Sequence, residues 1–333
     1  MFLRQTLVLG LAGSLPLVAL ALSRGRGEGN QRQAELARPP GEADPVCVDA
    51  VRRHKQPIWC IAAGRDGQTV LSGSDDRTIV QWDGRELAPR RTLQAGEAVR
   101  SLAISPDGLT AASGGLDGTV RLWDLAEGRQ TRSFGAHRTS ISAMAFLPGE
   151  QLATAAYDRA VRIWQLPDAR ELARIELGRL GVSAMAIDRS ATRMAIAGHG
   201  VVRVYDLPAR KSLVDLTGHE GWVFGVDVSA DGSRVASGGY DKTARVWDVA
   251  SGRQIVCFAG HTDTVRSVRF VRDTGLAISG GDDERLCVWG MDGREVGDSP
   301  SDSWILSDLA VLDDGHAISG SWDGRVRRWK LRP

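Results

Sequence analysis

Histidine, paired aspartates, cysteine and glycine-rich turns are the parts from which acid–base, metal and phosphate sites are built, and this chain of 333 residues carries all of them. Six histidines are candidates for proton transfer. Four of these, His54, His137, His219 and His261, recur at one register position of a repeat, and His199 stands where other repeats place an aspartate. His316 is left over near a turn, and no histidine remains beside a nucleophile. Asp75-Asp76 and Asp282-Asp283 would suit a cation, but the second member of each pair is itself the recurring residue. Cys47, Cys60, Cys257 and Cys287 show no metal-type spacing and no Cys-x-x-Cys-His for haem. The pieces SGGLDG and SGGYDK recur in register, which makes them turns and not phosphate cradles. Arg121, Arg162, Arg203, Arg245 and Arg327 also occupy a single repeated position, so they read as solvated or edge-packed arginines and not as a nucleic-acid stripe. A formal charge of +1 gives no reason to expect a polyanion as the main partner. The expectation is therefore no catalytic residue, no metal, no cofactor and no nucleic acid.

The elements that carry these side chains follow from the repeat. Aligned on Trp82, Trp123, Trp164, Tyr205, Trp247, Trp289 and Trp329, the chain repeats at intervals of 41, 41, 41, 42, 42 and 40 residues. Six residues before each aromatic stand Asp76, Asp117, Asp158, His199, Asp241, Asp283 and Asp323. Four before those stand Ser72, Ser113, Thr154, Ala195, Ser237, Ser279 and Ser319. Each unit holds three short alternating runs, such as SLAIS, TAASGG and TVRLWD, and a fourth, such as QTRSF, that leads into the next unit. That is the signature of antiparallel strands and turns. One such sheet cannot cover both of its apolar faces, whereas sheets stacked around an axis can.

The pattern resembles the WD-repeat family, whose period is about 40–45 residues with a Gly-His and a terminal Trp-Asp. GHTDTVRSVRFVRDTGLAISGGDDERLCVW and GHEGWVFGVDVSADGSRVASGGYDKTARVWD match that pattern almost throughout, and the resemblance covers about Val46 to Pro333. It implies an all-β fold, a seven-bladed β-propeller, with blades ending near residues 82, 123, 164, 205, 247, 289 and 329. It also implies a buried network in which the turn Asp accepts from the loop His and nearby backbone, completed by Ser or Thr and the Trp N–H. The complete sets are His54, Ser72, Asp76 and Trp82; His137, Thr154, Asp158 and Trp164; His219, Ser237, Asp241 and Trp247; and His261, Ser279, Asp283 and Trp289. Such a network is favourable only when every member is satisfied. The second and seventh units lack the loop His. The fourth replaces three members with Tyr205, His199 and Ala195 and is expected to be the loosest blade. The seventh unit runs out four residues after Trp329, so Cys47 to Val51 is expected to supply its outer strand and close the ring.

The first residues read differently. The apolar run Leu7 to Leu22, broken by Pro16, falls short of the roughly 20 residues of a spanning helix. Ala19-Leu20-Ala21 offers small residues for signal cleavage, while Arg24 and Arg26 keep an uncleaved N-terminal membrane anchor as the alternative. Residues 1–22 are thus expected to be a signal peptide or anchor, 23–45 a disordered linker, and 46–333 the propeller. The expected location is extracytoplasmic and periplasmic, secreted or tethered to the inner membrane.

Four tryptophans, Trp59, Trp222, Trp304 and Trp322, are surplus to the repeat. In the resembled family the residue before the turn Asp faces the top of the ring. Here that position holds Asp75, Leu116, Tyr157, Gly198, Tyr240, Asp282 and Trp322. Trp222 and Trp304 are read as directly preceding the first apolar residue of an innermost strand, and Trp59, Arg100, Phe224 and Arg266 as following it. Trp, Tyr and Arg dominate interface hot spots. The expected docking surface is therefore Trp59, Arg100, Leu116, Tyr157, Trp222, Phe224, Tyr240, Arg266, Asp282, Trp304 and Trp322, with Asp75 and Asp263 in its polar rim. The reading that results is a non-catalytic scaffold, a monomeric propeller within a larger complex, that docks a protein or peptide on its top face. The alternative is an accessory subunit of an extracytoplasmic redox or envelope complex that binds a small ligand or cofactor in the central channel.

Overall fold

A computed structural model describes residues 44–300 and 304–331. The signal or anchor expected over 1–22, and the linker expected over 23–45 except its last two residues, lie outside the described residues. Among the described residues every regular element is a β-strand, and all strand pairs are antiparallel. Each unit runs from the channel outward. In the first, Ile58–Ala63 pairs with Thr69–Ser74, then Thr78–Asp83, then Pro89–Gln94. The second strand is fully buried except at its first residue because its sequence, TVLSGS, presents apolar or small groups to both neighbouring sheets. The outer strands meet water, and Arg129–Gly135 is exposed along nearly its whole length.

Among the described residues seven apolar clusters join each unit to the next. One joins Cys60, Leu71 and Ile79 of the first unit to Val99, Ala111 and Trp123 of the second. Another joins the first unit to the last, through Ile58, Val70 and Val80 on one side and Ala310, Ile318 and Val326 on the other. Each repeat aromatic packs toward the preceding unit, which is why the Trp position is invariant in type but for Tyr205. The result is a seven-unit β-propeller.

Two features of the ring bear on function. The last sheet takes Leu306–Val311, His316–Ser321 and Arg325–Lys330 from the end of the chain and its outer strand, Val46–Arg52, from the beginning. That strand runs from Val46 opposite Lys330 to Arg52 opposite Arg325. The described chain therefore enters and leaves on the face opposite the turn aspartates; the aspartate face is called the top here. The second feature departs from a ring of separate four-stranded blades. Five sheets have four strands, but the fourth and fifth units share one of seven, because Lys211–Val228 is continuous. Its first part closes the fourth unit and its last part begins the fifth. Gly218 and Gly221, at φ 148° and 99°, sit at the crossing, where a side chain would be strained. The fourth unit also has the shortest innermost strand, Ala184–Ile187, half-buried throughout.

Candidate functional site

The top of the ring is built on a repeated irregularity. In six units the register between the first and second strands slips by one residue, between Ile58 and Cys60, Val99 and Ser101, Ile141 and Ala143, Val223 and Gly225, Val265 and Ser267, and Leu306 and Asp308. The residue skipped by each slip is Trp59, Arg100, Ser142, Phe224, Arg266 or Ser307. A bulge bends the strand and re-aims the extra side chain. Where that residue is serine, the hydroxyl donates to backbone, as Ser307 does to the carbonyls of Ile58 and Gly320 at 2.7 and 2.9 Å. Where it is aromatic or arginine, it reaches the mouth of the channel.

Those large side chains pair. Trp59 donates its indole N–H to Asp75 Oδ2 at 2.7 Å, and the Arg100 guanidinium lies 4.1 Å over its ring while pairing with Asp75 Oδ1 at 2.8 Å. The ring centroid of Trp322 lies 5.3 Å from that of Trp59, at 52°. Arg100, Trp59 and Trp322 thus form one contiguous cluster across the second, first and seventh units. On the far side, Arg266 holds Asp282 bidentately at 2.7 and 2.6 Å and covers Phe224 at 4.7 Å. Arg100 and Arg266 are therefore neutralised in place and act as flat covers on aromatic rings, each a cation–π contact. Tyr157 lies near both: burial raises its hydroxyl pKa, and the Arg100 and Arg266 charges pull the other way. Around this mouth Leu116, Tyr157, Tyr240 and Trp304 are 46%, 51%, 64% and 49% exposed. Asp263 is exposed and caps the Thr264 N–H.

Two tryptophans differ from the sequence expectation. Trp222 is half-buried; its ring meets His199 edge-on at 5.6 Å, and a Cβ built on Gly181 would come within 2.8 Å of it. It packs the junction of the fourth and fifth units. Trp304 does not directly precede the first strand residue. The register aligns Leu306 with Ile58, so Trp304 lies one residue farther out, on the connecting loop.

Beneath the top face lie the His, Ser or Thr, Asp and Trp sets. In the first unit His54 Nδ1 meets Asp76 Oδ2 at 3.0 Å, His54 Nε2 meets Ser72 Oγ at 2.7 Å, and Trp82 donates to the same oxygen at 2.8 Å. The set of His137, Asp158, Thr154 and Trp164 is joined in the same way, as are His219, Asp241, Ser237 and Trp247, and His261, Asp283, Ser279 and Trp289. In the second and seventh units, which have no loop histidine, the turn aspartate pairs with an arginine alone, whereas in the fifth Asp241 meets both His219 and Arg245. Arg121 Nη2 reaches Asp117 at 2.8 Å, and Arg327 Nη2 reaches Asp323 at 2.8 Å. Arg327 is completely buried, which corrects its reading as a solvated or edge-packed arginine; its neighbour across the ladder is the small Ala50 of the outer strand Val46–Arg52. Arg162, Arg203 and Arg245 each pair with acids as well, so no free basic stripe runs round the ring. Cys60 and Cys287 are buried, and burial raises both thiols well out of the reactive range. Among the described residues no group of three or more His, Cys, Asp or Glu side chains is placed to hold a metal ion.

The buried sets make stability depend on pH. Burial opposes charge on Asp76, Asp241 and Asp283, yet hydrogen bonds and charge from the facing histidines, with nearby N–H groups, hold all three below the ordinary carboxylate value. Burial lowers His137 and His219, outweighing the facing aspartates. Both kinds of group have folded pKa values below their unfolded ones, so the unfolded chain takes up protons that the fold refuses. Stability should be level above pH 7, fall as pH drops below about 6.5, where unfolded histidines protonate, and fall again below about 4 with the aspartates. Urea midpoints across this range check it, and His137→Gln should shrink the first drop. A midpoint that does not move between pH 7 and 5 would refute the histidine part.

Five stretches, residues 45–83, 87–124, 128–165, 210–248 and 252–290, match the family model described as WD domain, G-beta repeat, and together they span more than half of the chain. Between the third and fourth matches lies the unit with Tyr205, His199 and Ala195; after the fifth lies the unit completed by the outer strand from the start of the chain. A search of curated proteins found no matching relative.

Proposed function

The chain belongs to the WD-repeat propeller family, and on that premise we propose that it is a non-catalytic scaffold that docks a protein or peptide partner on its top face. WD40 repeats support a protein–protein interaction scaffold, and propellers of this kind are generally non-catalytic. The observation that carries the choice of face is the cluster of Arg100, Trp59 and Trp322 beside the half-exposed Trp304. Aromatic rings and arginines held by packing lose little freedom on binding, so more of the contact energy appears as affinity. Paired acids fix the arginines, which leaves the mouth apolar at its centre and polar at its rim, the usual anatomy of an interface.

The path of the chain supports the rest of the reading. It enters at the bottom of the last unit, where Val46 lies opposite Lys330. An export signal or inner-membrane anchor upstream would thus tether the bottom and leave the top free for a partner on the periplasmic side. The test is capture from an envelope fraction by wild type and by a variant carrying Trp59→Ala, Trp304→Ala and Trp322→Ala, both checked for equal melting. A hot-spot loss of about 2 kcal/mol corresponds to roughly thirtyfold weaker binding, so the variant should lose the partner. Equal capture by both proteins would move the docking surface elsewhere on the ring.

A further inference from the structure

We propose that a pocket on top of the last unit, between Trp304 and Trp322, receives the side-chain carboxylate of an acidic segment of the partner; this rests on the top-face reading above and names what that face selects. The pocket has a volume of about 180 Å³ and is lined by Arg52, Trp304, Trp322, Asp323 and Arg325. It adjoins the cluster of Arg100, Trp59 and Trp322, since Trp322 packs on Trp59 and also walls the pocket. Pockets for drug-sized ligands run from roughly 300 to 1,000 Å³, so this one suits a single side chain and not a cofactor.

Its charge is unbalanced in one direction. Arg52 and Arg325 are direct cross-strand partners, an arrangement of like charges that costs stability. Asp323, the one acid lining the pocket among the described residues, is already committed: it accepts from Ser321 Oγ at 2.6 Å, from the Arg325 N–H at 2.9 Å and from the buried Arg327 at 2.8 Å. Arg325 comes no closer to it through its own guanidinium than 3.9 Å. Asp323 thus already answers Arg327 and Arg325, and the pocket adds Arg52. Arg52, and Arg53 and Lys55 just beyond it, have no ion-pair partner among the described residues. A carboxylate between Arg52 and Arg325 would relieve the repulsion and gain charge-assisted hydrogen bonds, while the two indoles exclude water and cover the aliphatic part of the incoming side chain. This contrasts with Arg100 and Arg266 on the same face, whose charges Asp75 and Asp282 already answer.

The probe is a ten-residue peptide of alternating Glu and Leu, acetylated and amidated so that only side chains carry charge, with Gln/Leu and Lys/Leu counterparts. Binding to the full-length protein is followed by tryptophan fluorescence at low and high salt. The Glu peptide should bind at least tenfold tighter than the Gln peptide, and high salt should remove that preference. Arg52→Gln with Arg325→Gln should abolish the preference as well. Arg52→Gln alone should weaken it without lowering the melting temperature, because the charge removed faces another arginine. Equal binding of Glu and Gln peptides, a preference that survives the double variant, or no binding of any peptide would overturn the proposal. A tighter response to an oligothymidine of equal charge would also overturn it, in favour of a phosphate site. Failure of the pocket and failure of the face remain distinct. If only the pocket is wrong, the captured partner is kept by the arginine variant and lost by the tryptophan variant; if the face is wrong, both keep it.

Discussion

Deletion of residues 46–53 should cost the ring about 4 kcal/mol, a loss from the upper end of single-site effects. The deleted strand, Val46–Arg52, is the outer strand of the last sheet, paired along its length with Arg325–Lys330. Three losses coincide. The backbone groups of Arg325–Lys330 lose their ladder on one side. Val51, packed on the cluster that joins the last unit to the first, is removed, and Val326 beneath it is laid open. Arg327, whose guanidinium donates to Ser321 and Asp323 from a fully buried position, is uncovered. Covering one aliphatic side chain is worth about 1.5–3 kcal/mol, and disturbing a buried charge network adds to that. At about 2–4 °C per kcal/mol for a chain of this size, the melting temperature should drop by roughly 10 °C. A synthetic peptide of residues 44–54 added to the deleted protein should recover part of the loss. If the deletion melts with the wild type, the outer strand does not hold the ring and closure must rest on the apolar cluster between the first and last units alone.

How much of this could be read from residues alone depends on whether a side chain or a backbone event carries the information. The sets such as His54, Ser72, Asp76 and Trp82 were legible because each member is a specific polar group that must recur at one spacing for the bonds to form. The strand at Val46–Arg52 was legible because CVDAV precedes His54 at the distance where other units place their outer run. The bulges were not legible. A one-residue slip at Trp59 or Arg266 leaves no mark in residue type, yet it decides that those side chains reach the channel mouth. Nor was the burial of Arg327, which occupies the same repeat position as Arg121, Arg162, Arg203 and Arg245. Its cross-strand neighbour, the small Ala50, comes from a strand more than 270 residues away in sequence, whereas the other four lie opposite Ser133, Arg174, Asp215 and Cys257 on the same ladder. Trp222 and Trp322 show the same limit. Both map to the top rim, but Gly181 opposite Trp222 leaves room for the ring to pack inward, whereas Trp322 packs at a tilt against Trp59 at the rim of an open pocket. In the fused fourth and fifth sheets His199, at the turn-aspartate position, pairs along the ladder with Trp222, which the residue types alone do not reveal.

Asp283→Ala should be the most costly point change in the buried sets, at about 3 kcal/mol, while the equivalent Asp117→Ala should cost about 1 kcal/mol or less. The residues occupy the same turn position, and burial separates them. Asp283 is 1% exposed and faces His261, itself fully buried. It accepts from His261 Nδ1 at 2.8 Å, from the Thr262 N–H at 3.0 Å and from the Arg285 N–H at 3.3 Å. Removing it leaves a buried imidazole with its Nδ1 unpaired, and beyond it Ser279 and Trp289 depend on the same ring being held in place. Asp117 is 33% exposed, and its partner Arg121 can turn to water when the acid is lost. Asp283→Asn should recover part of the stability, because the amide oxygen still accepts from the histidine. Trp289 reports the change locally, since it stacks on Phe258 at 5.3 Å with the rings 4° apart. Its fluorescence should shift in Asp283→Ala and stay put in Asp117→Ala. Equal losses in the two variants would mean that the turn aspartates act only through their backbone contacts, and that the histidines are held by packing and not by the acids they face.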